Sequence, residues 1–189
     1  MQKNTIRDRF LSIKEVAVFS MLGTVMFLGD FLMEIFPNIH FVGVLTVIYT
    51  VVYRKKALIP LYIYVFMNGL YAGFSLWWVP YLYIWTILWG LAMLIPRGLH
   101  VSLSAIICAV ISGLHGFAFG ILYSPAQAIM FGLDFKGMLA WIAAGIPFDV
   151  IHGIANLAAS VIIIPLVTLL CKLEKRPLPF KTSAKTKTD

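Results

Sequence analysis

Charged residues are scarce in this sequence: they make up 12% of its 189 residues, whereas 61% are hydrophobic. A soluble domain ordinarily has about 25% charged residues. The mean hydropathy is +0.92, and several apolar runs follow one another along the chain. Because a run of about 18 apolar residues is long enough to cross a hydrocarbon core of roughly 30 Å, the composition excludes a soluble globular domain and predicts an integral membrane protein.

Cysteine and histidine are also rare, with 2 and 4 residues respectively. Cys108 and Cys171 fall inside apolar segments and have no paired spacing, which argues against a disulfide framework. The histidines show no HxxxH spacing and the cysteines no CxxC spacing of the kind that holds a metal. No metal site is therefore predicted.

The sequence has none of the common enzyme signatures, neither GxSxG, nor HExxH, nor the phosphate-binding GxxxxGK[ST]. The chain therefore cannot power transport by its own nucleotide hydrolysis. An intramembrane enzyme would use Asp149 and His152 as an acid/base pair, but it would lack a recognisable nucleophile. We therefore expect a protein that is not an enzyme.

Apolar segments predict an all-α fold of six transmembrane helices. The second is short for a span, and Pro147 predicts a kink or an interfacial first section in the long sixth one. The predicted segments are residues 13–36, 39–53, 57–76, 80–96, 101–123 and 139–171.

Positive charges give the expected orientation of these helices. Every Lys and Arg except Lys136 lies before or at the very start of the first segment, after the second or fourth, or after the sixth. Cytoplasmic loops are enriched in Lys and Arg, so both termini are predicted in the cytoplasm. Residues 1–174 would form one transmembrane domain, and residues 175–189 a basic, disordered cytoplasmic tail.

Polar residues in the outer half of the predicted helices indicate a binding site. Asp149, His152 and Asn156 are spaced by three and four residues, so they share one helix face that must contact protein or water. Aromatic rings with a few polar groups suit a small organic ligand. The predicted ligand-binding residues are Asn68, Tyr71, Trp78, Tyr81, Trp85, His115, Asp149, His152 and Asn156, and the loop from Tyr123 to Met138 would be a lid.

Structural roles compete with each of these assignments. Asp30 and Glu34, one turn apart, could extend to the outer headgroups, His115 could be a packing histidine, and Asn68 could join helices by hydrogen bonds. Trp78 and Tyr81 could belong to an interfacial aromatic belt.

Two sequence stretches, YIWTILWG at 83–90 and GIPFDVIHGIAN at 145–156, give the chain a specific likeness. With its size and six predicted spans, it resembles the substrate-binding S component of an energy-coupling factor (ECF) vitamin transporter. The resemblance covers nearly the whole chain. It implies a bacterial plasma-membrane subunit that captures a vitamin from outside and docks on a transmembrane T component carrying two ATPase subunits.

The resemblance also implies docking through small residues on the first helix, commonly an AxxxA pattern. Here Met21 stands four residues after Ala17, so the pattern is imperfect. The expected docking residues are Ala17, Ser20, Gly23 and Thr24. The resemblance favours cobalamin or a precursor as the ligand, with other vitamins as alternatives, and implies no bound cofactor.

A different class remains open: a standalone proton-coupled carrier. It would use Asp30, Glu34, Asp149 and His152 as a proton relay. The sequence contains no internal repeat that would support a carrier built from inverted halves.

Overall fold

The computed structural model describes residues 11–36 and 39–182, and within these residues the fold is almost entirely helical. Each predicted apolar segment contains a helix. Short 3₁₀ turns cover Arg54–Ala57, Leu76–Trp78 and Ser160–Ile162. The α-helices are α1 (Ile13–Met33), α2 (Val42–Tyr53), α3 (Leu58–Ala72), α4 (Tyr81–Met93), α5 (Val101–Phe117), α6 (Phe119–Phe131), α7 (Phe135–Ala159) and α8 (Ile163–Leu173).

Four helical stretches in the described residues are long and apolar enough to cross a membrane. They confirm an all-α, multi-pass membrane protein, and they are Ile13–Met33, Leu76–Met93, Val101–Phe131 and Phe135–Leu173. α2 and α3 have only 12 and 15 residues. At 1.5 Å per residue they span about 18 and 22 Å, less than the roughly 30 Å of a hydrocarbon core.

α2 lies at the centre of the bundle. All 12 of its residues are buried, and it packs against α4, α8 and α5. A helix surrounded by protein does not need to match the thickness of the lipid, because its ends are covered by other parts of the chain. This explains why the predicted segment that is short for a membrane span, residues 39–53, contains a fully buried helix.

α5 and α6 pack against α7 along a seam of glycines. A Cβ built on Gly116 would lie 2.8 Å from Cα of Gly153, and one on Gly113 would lie 2.6 Å from the side chain of Leu157. Backbones can approach this closely only where side chains are missing, as is common between helices in membranes. We call Gly113, Gly116, Gly120 and Gly153 the glycine seam.

The predicted kink at Pro147 is not where the sixth segment breaks. α7 continues from Phe135 to Ala159 through Pro147, and the break is the 3₁₀ turn at Ser160–Ile162. Pro165 follows in the first turn of α8, where the missing proline N–H costs no helical hydrogen bond.

The loop proposed as a lid is mostly helix, which corrects that prediction. α6 runs to Phe131, Gly132 ends it with a left-handed conformation (φ 64°), and Asp134 caps α7 by accepting a hydrogen bond from Gly137 N at 2.7 Å. Only residues 132–134 connect the two helices. Helical structure thus extends beyond residue 123, the predicted end of the fifth segment, in the separate helix α6.

Basic side chains gather at one end of the bundle, which we call the basic end. Lys56 pairs with Glu15, and Arg54 donates hydrogen bonds to the carbonyls of Met93 and Ile95. The opposite end, called the aromatic end, contains the α3–α4 connection with Trp77 and Trp78, and Tyr123 on α6 donates to the Trp77 carbonyl at 2.9 Å.

The first part of the predicted disordered tail is packed at the basic end, which corrects that boundary. Phe180 is 6% exposed, and Phe180–Lys181 (β2) pairs in parallel with Leu99–His100 (β1). Burial of a large aromatic side chain supplies the free energy that orders this segment. The remainder of the tail, residues 183–189, lies outside the described residues.

Candidate functional site

A cavity of about 350 Å³ opens at the aromatic end between α1, α3 and the start of α4. Its size is near the lower end of the range of about 300–1,000 Å³ that is typical of small-molecule sites. We call it the candidate cavity. The side chains that give it chemical character are Phe27, Asp30, Phe31, Glu34, His40, Asn68, Tyr71, Trp77 and Tyr81.

Asp30 is held in place by α3. Tyr64 Oη donates to Asp30 Oδ2 at 2.9 Å, and Asn68 Nδ2 donates to the same oxygen at 3.2 Å. Tyr64 and Asn68 are one helical turn apart, so both project from one face of α3 towards α1. Since both donors use Oδ2, the second oxygen of Asp30 keeps its capacity to accept a hydrogen bond.

Glu34 stands at the C-terminal end of α1, one turn beyond Asp30, and is exposed. Within the described residues, no hydrogen bond or ion pair engages its carboxylate. The cavity therefore has one fixed and one free carboxylate.

Aromatic rings form two walls of the candidate cavity. On the α1/α3 side, the Tyr71 ring meets those of Phe27 and Phe31 edge to face, with centroids 5.8 and 5.3 Å away. On the α4 side, Trp77 and Tyr81 meet edge to face at 5.5 Å. Edge-to-face packing fixes the orientation of the rings, which then offer flat faces for stacking.

His40 forms the floor of the cavity and joins it to a buried group of rings. Its ring centroid is 4.5 Å from that of His152 and 5.8 Å from that of Trp85. The Trp85 ring in turn lies 5.6 Å from His115, whose Nε2 is 3.1 Å from the Ile84 carbonyl oxygen. We call His40, Trp85, His115 and His152 the histidine cluster.

Several polar atoms of the histidine cluster have no hydrogen-bond partner in the described part of the chain. They are His40 Nδ1, Trp85 Nε1, His115 Nδ1 and His152 Nε2. Buried polar atoms are nearly always paired in native structures, so a concentration of unpaired ones marks a functional candidate. Of these side chains, that of His40 lines the cavity.

The predicted ligand-binding residues divide into three groups. Asn68, Tyr71 and Tyr81 line the cavity. Trp85, His115 and His152 belong to the histidine cluster beneath it. The other three, Trp78, Asp149 and Asn156, make hydrogen bonds elsewhere.

Those three residues join parts of the bundle to one another. Trp78 Nε1 donates to the Val65 carbonyl at 2.7 Å. Asn156 Nδ2 donates to the Ser112 carbonyl at 3.2 Å. Asp149 Oδ1 and Oδ2 accept from Gly120 N at 3.0 and 3.1 Å.

Asp149 thus acts as a cap supplied by a neighbouring helix. The chain between α5 and α6 breaks at Ala118, so the first N–H groups of α6 lack intrahelical partners. A carboxylate at a helix N-terminus satisfies such a group and interacts favourably with the helix dipole. The prediction that Asp149, His152 and Asn156 face the interior is confirmed, since they are 9%, 3% and 0% exposed.

The predicted docking residues do not all share one face of α1. Ala17 and Ser20 are exposed and Thr24 is half-buried, but Gly23 is buried. A Cβ on Gly23 would lie 2.6 Å from Ile63 Cγ2, so this glycine allows α1 to approach α3. Gly23 is therefore withdrawn from the docking face.

Sequence reasoning did not assign Tyr64, His40 or Phe119 to the site. Tyr64 is one turn before Asn68 on the same face of α3, a spacing that could have identified it. His40 falls at the start of the predicted segment 39–53 and precedes α2 by two residues, and no spacing in the sequence connects it with the other site residues. Phe119, whose ring is 4.9 Å from His152, gave no signal beyond its aromaticity.

A second cavity, of about 660 Å³, opens at the basic end. Four of its five charged lining residues form ion pairs, Lys56 with Glu15 and Arg176 with Glu174. Among its described lining residues, Phe19 is the one aromatic side chain. It therefore lacks the facing aromatic walls of the cavity at the aromatic end and is a weaker candidate for an organic ligand.

No group of three or more His, Cys, Asp or Glu side chains that could hold a metal ion occurs in residues 11–36 and 39–182. Comparison with protein-family models, curated proteins and solved structures found no match to this chain.

Proposed function

We propose that this protein is a membrane-embedded binding subunit that captures a small organic ligand in the candidate cavity. The observation that supports this best is the combination of a 350 Å³ cavity, two aromatic walls and the Asp30 carboxylate held by Tyr64 and Asn68. Apolar walls with a few fixed polar groups are what ligand recognition requires. Positions held on helices rather than loops keep such groups in place.

The distribution of basic residues indicates which side of the membrane the cavity faces. Basic residues gather at the end of the bundle opposite to it, and Lys and Arg mark the cytoplasmic side of membrane proteins. With six membrane-embedded segments and both termini inside, the cavity opens to the outside of a bacterial plasma membrane. This orientation suits uptake.

The resemblance to ECF S components supplies the proposed partners. The chain has no nucleotide-binding motif, so ATP hydrolysis falls to two separate ATPase subunits that act through a T component. The exposed small residues Ala17 and Ser20, with Thr24 beside them, form the proposed docking face. Ser20→Trp should abolish copurification with the T component and leave ligand binding unchanged, and a stable complex would remove this face from the proposal.

Cobalamin, the ligand favoured by the resemblance, places a demand on the structure. A corrinoid with its nucleotide arm is much larger than the candidate cavity of about 350 Å³, so part of it would have to extend beyond the described lining. A vitamin or precursor of smaller size is closer to the volume of the cavity. Both are therefore included in the test.

The direct test is ligand identification. The full chain is purified in detergent from cells grown in rich medium, and the molecules released on denaturation are identified by mass spectrometry and titrated back, with cobalamin in the same panel. A stoichiometric vitamin-like molecule supports the proposal. No bound molecule and no binding across the panel contradicts it.

The alternative, a standalone proton-coupled carrier, would use Asp30, Glu34, Asp149 and His152 as a relay. Asp149 accepts a hydrogen bond from Gly120 N, whereas Asp30 contacts Tyr64 and Asn68 of α3. His40 of the cavity and His152, one helical turn from Asp149, have ring centroids 4.5 Å apart. Uptake into cells that lack the T component and ATPases would favour this carrier over a binding subunit.

A further inference from the structure

The candidate cavity has a marked charge asymmetry. It contains the carboxylates of Asp30 and Glu34, and none of the described residues that line it is Lys or Arg. Of the lining residues that the structure describes, His40 alone has a nitrogen that can take up a proton. A ligand with a carboxylate or phosphate would therefore meet two like charges and no Lys or Arg of the described lining, which disfavours its binding.

The two carboxylates differ in how firmly they are held, and both are available to a ligand. Asp30 receives its two protein hydrogen bonds on Oδ2 alone. Glu34 makes no side-chain contact of this kind in the described residues, although it lines the same cavity. Carboxylates accept several hydrogen bonds each, so the pair can bind a positively charged nitrogen.

The rings around these carboxylates suit a cation as well. The walls contain Phe27, Phe31 and Tyr71 on one side and Trp77 and Tyr81 on the other. Cations are attracted to the faces of such rings, and a flat apolar body stacks on them. His40 also lines the cavity, and its aromatic ring adds a further surface for such a body.

We infer that the ligand of this cavity is a small organic cation with a planar or apolar body, bound between the aromatic walls with its positive nitrogen towards Asp30 and Glu34. The inference rests on the proposed function and adds the chemical class of the ligand. It excludes ligands whose only charged group is an anion.

The test uses one ring in three charge states: 1-methylnicotinamide as the cation, nicotinamide as the neutral form and nicotinate as the anion. Binding to the full chain in detergent is measured by calorimetry. We expect the cation to bind about tenfold or more tightly than the neutral form, and the anion most weakly. Equal affinities, or the reverse order, would overturn the inference.

Matched variants locate the effect. Asp30→Asn and Glu34→Gln should each remove most of the preference for the cation, because the affinity for 1-methylnicotinamide falls further than the affinity for nicotinamide. Glu34→Gln protects the test against misfolding, because its side chain takes no part in packing that the structure records. Glu15→Gln is the control on the same helix: Glu15 pairs with Lys56 at the basic end, away from the cavity, so this change should leave the preference for the cation unaltered.

If none of the three probes binds, the inference is tested by the charge of the molecule that copurifies with the chain. An organic cation supports the inference. A neutral or anionic molecule overturns the inference and leaves the proposed function intact. Absence of both probe binding and a copurified molecule overturns the proposed function and the inference together.

Discussion

Asp30 and Asp149 are both aspartates within apolar helices, yet the two regions around them use the carboxylate differently. Asp149 lies beside the glycine seam, and its two oxygens cap the backbone of α6. Asp30 lies beside a cavity and has protein partners on one oxygen only. Asp149 binds a backbone N–H of a neighbouring helix and does not line the candidate cavity, so it serves assembly, whereas Asp30 lines the cavity with one oxygen that has no protein partner and can serve a ligand.

The largest expected effect is on the glycine seam. Gly116→Ala would place a Cβ 2.8 Å from the backbone of Gly153, and such overpacking costs about 1–3 kcal/mol of stability. Thermal unfolding of the purified chain in detergent should show a clear loss. Gly90→Ala is the matched control, because the added Cβ would meet nothing within 4 Å. This substitution should leave the stability unchanged or raise it slightly. Equal stabilities for the two variants would contradict close packing at the seam.

The next effect separates the two aspartates. Asp149→Ala removes the cap of α6 and should lower the free energy of unfolding by about 1–2 kcal/mol. Ligand affinity should stay within about twofold of the unaltered chain, because Asp149 does not line the cavity. Unfolding and titration of the same preparation check both parts. A large loss of affinity with unchanged stability would return Asp149 to the binding site.

The smallest effect concerns the support of Asp30. Tyr64→Phe removes the hydrogen bond to Oδ2 and keeps the ring that packs 6.2 Å from Trp85. We expect ligand affinity to fall by about three- to tenfold, which corresponds to the net value of one hydrogen bond. Tyr83→Phe is the control, since its hydroxyl bonds the Leu122 carbonyl away from the cavity. Identical titration curves for these two variants would show that Asp30 needs no such support.

Much of the fold was predictable because hydrophobic periodicity and charge placement are local signals. The predicted segment 80–96 matches α4 within three residues at either end, and the interior face of α7 followed from the spacing of Asp149, His152 and Asn156. The central position of α2 was not predictable from the sequence. It depends on packing against helices that are distant along the chain, and no local pattern records such packing.

The site was predicted only in part, for a physical reason. Sequence spacing shows that a polar residue faces inwards but not whether its partner is protein or ligand. Asn68, Tyr71 and Tyr81 line the cavity as expected, whereas the partner of Asp149 exists only because α5 breaks at Ala118. No Pro marks that break, so the cap could not be foreseen.

The most direct test of the account compares ligand affinity between Asp30→Asn and Asp149→Asn. The measurement is a titration of each purified variant with the molecule that copurifies with the unaltered chain. The account predicts a loss of about tenfold or more for Asp30→Asn and nearly unchanged affinity for Asp149→Asn. The reverse result would place the ligand on the α7 face and contradict the assignment of the cavity.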